Sequence, residues 1–427
     1  MKRVVYVILT GLLALLFAIA MWQDTNREWT GYQRRFLATL KRDERRGMTA
    51  GIKQFIVNDL QRVDRCTTCH LAIDKPQLTL GVEPFTAHPG KLLQWHPVEK
   101  FGCTICHGGQ GLATEVKAAH GDVQHWEEPL LRDALVQSSC AQCHGDLAKI
   151  EAHVPLLMKG QELFRSKGCY GCHTVKDFGQ TVSVDLSEVG SKSYLLIEAD
   201  FERMPKPHDR IRWLATKLHH PRSLNPGVRP EELPPGEEEV FPSAMPHFGL
   251  TEEEVQALTV YLLSLRATNL PAKYVIPAPP KPVPTFASAL ERGQAVFERY
   301  GCTACHGTGG VGGRKNWNGG LGEEAPPSLY AKAYYGHDSE SLKELLRNGR
   351  QPVPRADVHR PQPGLYMPAW KERIPEEDLD ALVAYLFSLS DRLPGSKAAD
   401  SQSPPQPATS APADPQAVGV HETGLPN

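Results

Sequence analysis

The chain has 427 residues, 22% of them charged, and a formal net charge of −2. That length accommodates two to four domains, and a near-neutral chain with no basic tract interleaved with aromatics points away from nucleic acid. All ten cysteines fall in five short clusters, which leaves no spare thiol for the disulfides usual in cysteine-rich secreted proteins.

The first element is apolar. After Met1-Lys2-Arg3 comes a run from Val4 to Trp22, close to the roughly 20 residues a membrane-spanning helix needs. Lys2 and Arg3 would hold the short leader in the cytoplasm. Residues 1–22 are therefore expected to be a transmembrane anchor. The competing reading is a cleaved signal peptide with Ala18-Ile19-Ala20 as its small-residue site, although such apolar cores usually run about 7–15 residues. Both readings export the rest of the chain.

Residues 23–62 are charged and carry two apolar stripes: Trp29, Tyr32, Phe36, Leu40, then Ile52, Phe55, Ile56, Leu60. Helical spacing predicts two helices, a stalk whose apolar faces pack on the protein body or on a partner. Residues 63–153 hold three of the cysteine clusters, punctuated by Pro76, Pro84, Pro89, Pro97, Gly102, Gly108, Gly109 and Gly111. Little room is left for an apolar core; short helices and no strands are predicted.

Residues 154–270 and 285–392 are two copies of one pattern. The segment GQELFRSKGCYGCH aligns without gaps with GQAVFERYGCTACH, so Gly160, Phe164 and Cys169 match Gly293, Phe297 and Cys302. Each copy closes on a matching helix, Thr251–Leu265 and Pro375–Leu389. A Thr cap in one, a Pro start in the other and acids in both first turns suit helix N-termini. Between the copies, residues 271–284 are Pro-rich and predicted extended and semi-rigid. The Ser/Pro/Ala-rich tail, 393–427, is predicted disordered.

Every cysteine cluster reads Cys-x-x-Cys-His, beginning at Cys66, Cys103, Cys140, Cys169 and Cys302. This is the spacing of c-type haem attachment. Cys66, Cys69, Cys103, Cys106, Cys140, Cys143, Cys169, Cys172, Cys302 and Cys305 would form thioethers to haem vinyl groups. His70, His107, His144, His173 and His306 would ligate iron. Zinc ribbons are the bland alternative, but they need no histidine after every second cysteine, and five knuckles do not pair evenly. The predicted cofactors are five covalently bound haem c. Sixth ligands for the first three irons must come from histidines nearby, since methionines are few there. His88, His96 and His120 are the chosen candidates, with His125 and His153 behind them and His219 or His220 as possible intruders.

In combination, the Gly-x-x-x-Phe helix, the Cys-x-x-Cys-His turn, a loop carrying Met-Pro and a last helix with a central Tyr make each copy similar to the small all-α domain of monohaem class I cytochrome c. The whole chain resembles a membrane-anchored multihaem (pentahaem) c-type cytochrome. The resemblance implies that first and last helices cross near Gly160 and Tyr261, and near Gly293 and Tyr385. It also implies distal Met245 and Met367, each followed by a proline, with Met204 as the lesser option in the first copy. The expected fold is mainly α: an N-terminal transmembrane helix and helical stalk, a loop-rich trihaem module, and two small all-α cytochrome c domains.

Methionine as the second axial ligand raises haem potential, so the trihaem module is expected to be the low-potential, membrane-proximal end. The function expected is electron transfer in a respiratory chain, with a single-pass helix in the cytoplasmic (inner) membrane and the bulk of the chain periplasmic. A membrane quinol-oxidising complex would donate; a soluble cytochrome or terminal oxidase would accept. The acidic run Glu231–Glu239 is expected to be a solvated loop, with steering of a basic carrier as the alternative. The main alternative is a multihaem reductase or peroxidase with one open haem site. A third reading makes the tail a docking segment on a scaffold. No catalytic residue is assigned.

Overall fold

The computed structural model describes residues 2–124, 126–176, 178–180, 182–197, 203–204, 209–225, 243, 245–267, 269–279, 284–311, 337–350 and 367–390. The chain is mainly helical. Helix α1, Lys2–Thr25, buries none of its side chains. Its most apolar stretch has a mean hydropathy of 2.7. At 1.5 Å per residue it is about 36 Å long, enough to cross the hydrocarbon core of a bilayer.

Asn26 and Arg27 alone separate α1 from helix α2, Glu28–Thr39. The apolar stripe of α2 packs inward: Phe36 and Leu40 cluster with Ala72 and Phe85, and the Phe36 and Phe85 rings are 5.2 Å apart. The buried Gln33 side chain fixes the same face. Its Nε2 donates to the carbonyls of Gly51 (2.7 Å) and Thr68 (3.1 Å), and its Oε1 accepts from the Gly51 N–H. Thr68 lies inside the first cysteine-histidine motif, so α2 is tied to that motif directly.

The second predicted stalk helix is a β-ribbon instead. Strand β1, Phe55–Val57, pairs antiparallel with β2, Arg62–Asp64, with Phe55 opposite Asp64. Gln61 closes the turn between them in the left-handed region, φ 50°. Ile52, Phe55, Ile56 and Leu60 fit a helical period, but Ile56 is 60% exposed while Val57 and Leu60 are buried. Alternation decides the outcome, and the β-branched residues Ile56, Val57 and Val63 suit a strand. Strand β2 also overturns the expectation of no strands at the start of the trihaem segment.

The first repeat contains α3 (Pro155–Ser166), a small ribbon of β3 (Thr174–Val175) and β4 (Phe178–Gly179), α4 (Arg210–His219) and α5 (Glu252–Ser264). The second contains α6 (Ala289–Arg299), α7 (Ser339–Asn348) and α8 (Glu376–Ser390). Side-chain caps start several of these helices. Asp209 accepts from the Arg212 N–H (2.8 Å), Ser288 from Glu291 (3.1 Å) and Asp338 from Ser341 (2.8 Å). Thr251 and Glu254 form a reciprocal capping box.

First and last helices cross at glycine in both repeats. A Cβ on Gly160 would overlap the Ala257 carbonyl on α5, and one on Gly293 the Ala381 carbonyl on α8. Phe164 packs on Tyr261 at 5.3 Å and Phe297 on Tyr385 at 5.7 Å. The larger apolar core lies in the first repeat, around Leu157, Leu258 and Leu263; the second is built on Phe297, Leu382 and Leu389.

The segment expected to be a spacer is a strap. The Ile276 N–H donates to the Cys143 carbonyl (2.7 Å), and the Gly145 N–H donates to the Ile276 carbonyl (2.8 Å). Tyr274 stacks edge-on against Phe101 at 5.7 Å, and Lys273 pairs with Asp59. Residues 271–279 therefore lie along the trihaem segment. The tail 393–427, the acidic run Glu231–Glu239 and His125 lie outside the described residues.

Candidate haem centres

All five Cys-x-x-Cys-His motifs fold into the same single turn. The histidine N–H donates to the carbonyl of the first cysteine in each: His70 to Cys66 (3.0 Å), His107 to Cys103 (3.0 Å), His144 to Cys140 (2.9 Å), His173 to Cys169 (3.0 Å) and His306 to Cys302 (2.9 Å). Residues three and four apart in a helical turn share a face. The turn therefore presents two thiols and one imidazole together, as a covalently stapled, axially ligated haem requires. None of the ten cysteines is in a disulfide.

The N-terminal motifs bring each proximal histidine to a second one. His70 faces His120 with ring centroids 6.4 Å apart, His107 faces His88 at 6.3 Å, and His144 faces His96 at 6.2 Å. Metal–imidazole bonds run about 2.0–2.1 Å, and a ring centre lies about 1.1 Å behind its nitrogen. Two imidazoles on opposite sides of one ion thus have centroids roughly 6.3 Å apart. The residues fit bis-histidine ligation of an iron. The pairing is crossed: His88, before the second motif, meets that motif's histidine, whereas His120 reaches back to the first.

Hydrogen bonds set the tautomers. Nδ1 of His173 lies 2.8 Å from the Val184 carbonyl and Nδ1 of His107 3.4 Å from that of Leu131. His88 and His96 direct Nδ1 to the carbonyls of Pro89 (2.9 Å) and Leu92 (3.3 Å). A carbonyl accepts only from N–H, so Nε2 keeps its lone pair for a metal. Burial holds the imidazoles of His70, His107, His120, His144 and His173 below the usual histidine range. They are therefore neutral, the form that ligates.

The other candidates have different neighbours. His153 packs on Trp95 at 5.7 Å. His219 contacts Glu252 at 3.0 Å, and His220 lies 5.4 Å from His247, a residue that the sequence reading passed over. Met245 sits at the margin of the core that also holds Cys169, and Met204 is buried inside that core. Met367 packs at the margin of the second core beside Cys302.

Consecutive motifs are linked in chain order, the third and fourth only through a shared core. The buried Asp64 side chain lies between Cys66 and Cys103, and the three ligand-type atoms are within 4.8 Å of one another. Ser139, beside Cys140, donates its hydroxyl to the Cys106 carbonyl at 2.6 Å. Cys140 and Ala141 pack against the core that receives Cys169. The fourth motif meets the fifth at Tyr170, whose hydroxyl donates to the Glu298 carbonyl and lies 3.4 Å from Thr303 Oγ1. Gly171 backs directly onto Gly301: a Cβ on Gly171 would lie 2.6 Å from the Gly301 carbonyl oxygen. Asp64 and Tyr170 were not singled out in the sequence, where nothing marks their distant partners.

Residues 157–266 match the family model described as cytochrome c, and residues 288–386 match that of cytochrome c oxidase, cbb3-type, subunit III. Three curated relatives bear the name cbb3-type cytochrome c oxidase subunit CcoP. The Azospirillum sp. (strain B510) protein is 27% identical over 42% of this chain and 50% of its own length. The Azospirillum brasilense protein is 26% identical over 33% and 37%, and the Helicobacter pylori protein 28% over 30% and 41%. The chain thus spans half or less of the length of these relatives. No solved structure gives a significant match. Both repeats are similar to cytochrome c domains, whose haem is covalently attached and whose work is electron transfer.

Proposed function

We propose that this chain is a membrane-anchored pentahaem cytochrome c, a fixed electron wire. The observation that carries the proposal is the succession of five cysteine-histidine motifs linked in chain order, the third and fourth through one shared apolar core and the others through closer contacts. Haem c, when bound, supplies one-electron chemistry; the chain supplies position, ligands and electrostatics. Cys66 and Cys69, Cys103 and Cys106, Cys140 and Cys143, Cys169 and Cys172, Cys302 and Cys305 staple the five groups. His70/His120, His107/His88 and His144/His96 hold the first three irons, and His173/Met245 and His306/Met367 the last two.

Potential follows ligand type, with His/Met above bis-His. The low-potential end is the trihaem segment, tied through α2 to the foot of α1. The high-potential end is the pair of repeats. α1 anchors the chain in the inner membrane with the haem domains on the periplasmic side. A quinol-oxidising membrane complex donates at the trihaem end. The likeness of the second repeat to cbb3-type oxidase subunit III, and of part of the chain to CcoP proteins, supports a terminal oxidase of that type as acceptor. Two imidazoles at each N-terminal centre also weigh against an open-site reductase or peroxidase.

The test is a redox titration of the detergent-solubilised protein, with intact mass, optical and low-temperature EPR spectra. The expected result is five haems, all low-spin, with three components at lower and two at higher potential. A smaller haem count, or a high-spin iron that binds nitrite or peroxide, overturns the wire.

A further inference from the structure

Residues 26–53, directly after α1, hold eight lysines and arginines against three acids, in a chain whose net charge is −2. Two of the three acids are committed to backbone amides: Glu28 accepts from the Val116 N–H (2.8 Å) and Glu44 from the Lys41 N–H (2.7 Å). Helix α2 turns Gln33 and Phe36 inward. Gly31, Arg34, Arg35 and Ala38, three and four apart, share the opposite face; Arg34, Arg35 and Ala38 are exposed. Gly31 adds no bulk there, and a Cβ on it would meet nothing within 4 Å. The turn that follows, residues 41–47, is exposed throughout and brings Lys41, Arg42, Arg45 and Arg46.

Hydrogen bonds hold cations at both ends of α2. Arg34 donates to the Thr30 carbonyl (3.3 Å) and to Asn26 Oδ1 (3.4 Å), beside the end of α1. Arg45 donates to the carbonyls of Leu40 (2.8 Å) and Ala38 (3.2 Å), at the C-terminal end of α2, where cations are favoured. Gln33 fixes the other face to the first motif, so the basic face keeps one direction. Basic flanks ordinarily hold a loop in the cytoplasm. Here five haem-attachment motifs follow and require export, so topology does not account for the cations.

We propose that the outward face of α2 and the turn 41–47 form a docking surface for anionic phospholipid headgroups, on the leaflet from which α1 emerges. This rests on the membrane-anchored reading above. α1 ends at Thr25 and α2 begins at Glu28, so the first turn of α2 lies at the headgroups when α1 crosses the bilayer. About four to eight cations on an amphipathic helix beside a membrane attract acidic lipid, and a phosphate oxygen pair accepts from a guanidinium in bidentate fashion. Docked this way, α2 lies along the bilayer and its inward face holds the first motif at a fixed height, which sets the trihaem end against a donor embedded in the same membrane.

The test places the full-length, haem-loaded protein in nanodiscs of phosphatidylcholine, alone or mixed with phosphatidylglycerol, with a nitroxide on Ala38→Cys. Collisions with a neutral, water-soluble nickel chelate report exposure of that face. Anionic lipid is expected to cut the collision rate about fivefold, as for a helix lying about 5–10 Å into the interface. Salt at about 1 M, where the Debye length is about 3 Å, is expected to restore it. With Arg34→Gln, Lys41→Gln, Arg42→Gln and Arg46→Gln combined, the two lipids are expected to give the same rate. Equal rates in both lipids with the cations present, or an unchanged fall without them, overturn the surface. So does a rate that is low in both lipids, which would mean that the chain covers this face itself, with the acidic run 231–239 for example. Co-elution with discs of phosphatidylcholine alone reads the anchor, and haem count and spin state read the wire, so failure of the earlier reading is told apart from failure of the surface.

Discussion

Asp64 is 0% exposed and is held from two motifs at once. One carboxylate oxygen accepts from the N–H groups of Cys103 (2.9 Å) and Thr104 (3.0 Å) and from the Thr104 hydroxyl (2.9 Å); the other accepts from the Cys66 thiol at 2.9 Å. Gly102 makes room for it, since a Cβ there would lie 2.5 Å from the carboxylate. Thioether formation at Cys66 removes that thiol donor, but the other three remain. A buried negative charge between the first two centres favours their oxidised state. Asp64→Asn keeps the acceptor and removes the charge. It is expected to raise midpoint potentials within the low-potential group of three, at a stability cost of about 1–2 kcal/mol from weakening charge-assisted bonds. Asp64→Ala orphans three donors and is expected to cost more, about 3 kcal/mol or above. Denaturant melts and redox titration of both variants check this; unchanged potentials in Asp64→Asn would remove the electrostatic role. The cysteine-histidine turns were legible in the sequence because their chemistry is local to five residues. Asp64 was not, because its partner Cys103 is 39 residues away. The histidines fall between these cases: composition marked His88, His96 and His120, but no local pattern encodes their crossed pairing.

At the scale of elements, periodicity served long helices well and short segments poorly. Helices α5 and α8 announced themselves through caps, acidic first turns and many apolar positions on one face. The stripe Ile52, Phe55, Ile56 and Leu60 offered only four apolar points, too few to separate a helix from a ribbon whose inward residues alternate. The linker failed differently: Ala272–Tyr274 is a 3-10 turn rather than extended chain, and proline content said nothing of what the segment lies against. The strap rests on two backbone bonds around Ile276, beside the third motif. Ile276→Pro removes the N–H that reaches Cys143. The expected result is local release, at about 1–3 kcal/mol for the orphaned Cys143 carbonyl, with residues 271–279 losing hydrogen-exchange protection while α5 and α8 keep theirs. Retained protection in the strap would show that side-chain contacts such as Tyr274 on Phe101 suffice to hold it.

For the molecule as a whole, the question is whether its modules move independently or as one body. Glu128, in the trihaem segment, binds Arg210 and Arg266 of the first repeat, and Arg210 is buried. Among the described residues, Glu128→Ala leaves Arg210 with the carbonyls of Gly190 and Lys192 as acceptors. A loss of about 1.5–3 kcal/mol is expected, read as a lower thermal midpoint. The junction between the repeats is tighter still. Gly301 has φ +71°, and a Cβ on it would overlap the Gly171 backbone; Gly168 abuts Ala304 in the same way. Side chains are excluded there, so two attachment turns approach more closely than any other residue would permit. Gly301→Ala therefore strains its own backbone and forces the turns apart, whereas Tyr170→Phe removes only the latch to the Glu298 carbonyl and costs about 1 kcal/mol. If the repeats act as one dihaem body, Gly301→Ala slows electron equilibration between the two high-potential centres while leaving their ligands, and hence their low-spin spectra, intact. Tyr170→Phe changes that rate much less. Pulse radiolysis of the two variants distinguishes this from a pair of tethered, freely moving carriers, for which separating the turns would leave the rate unchanged.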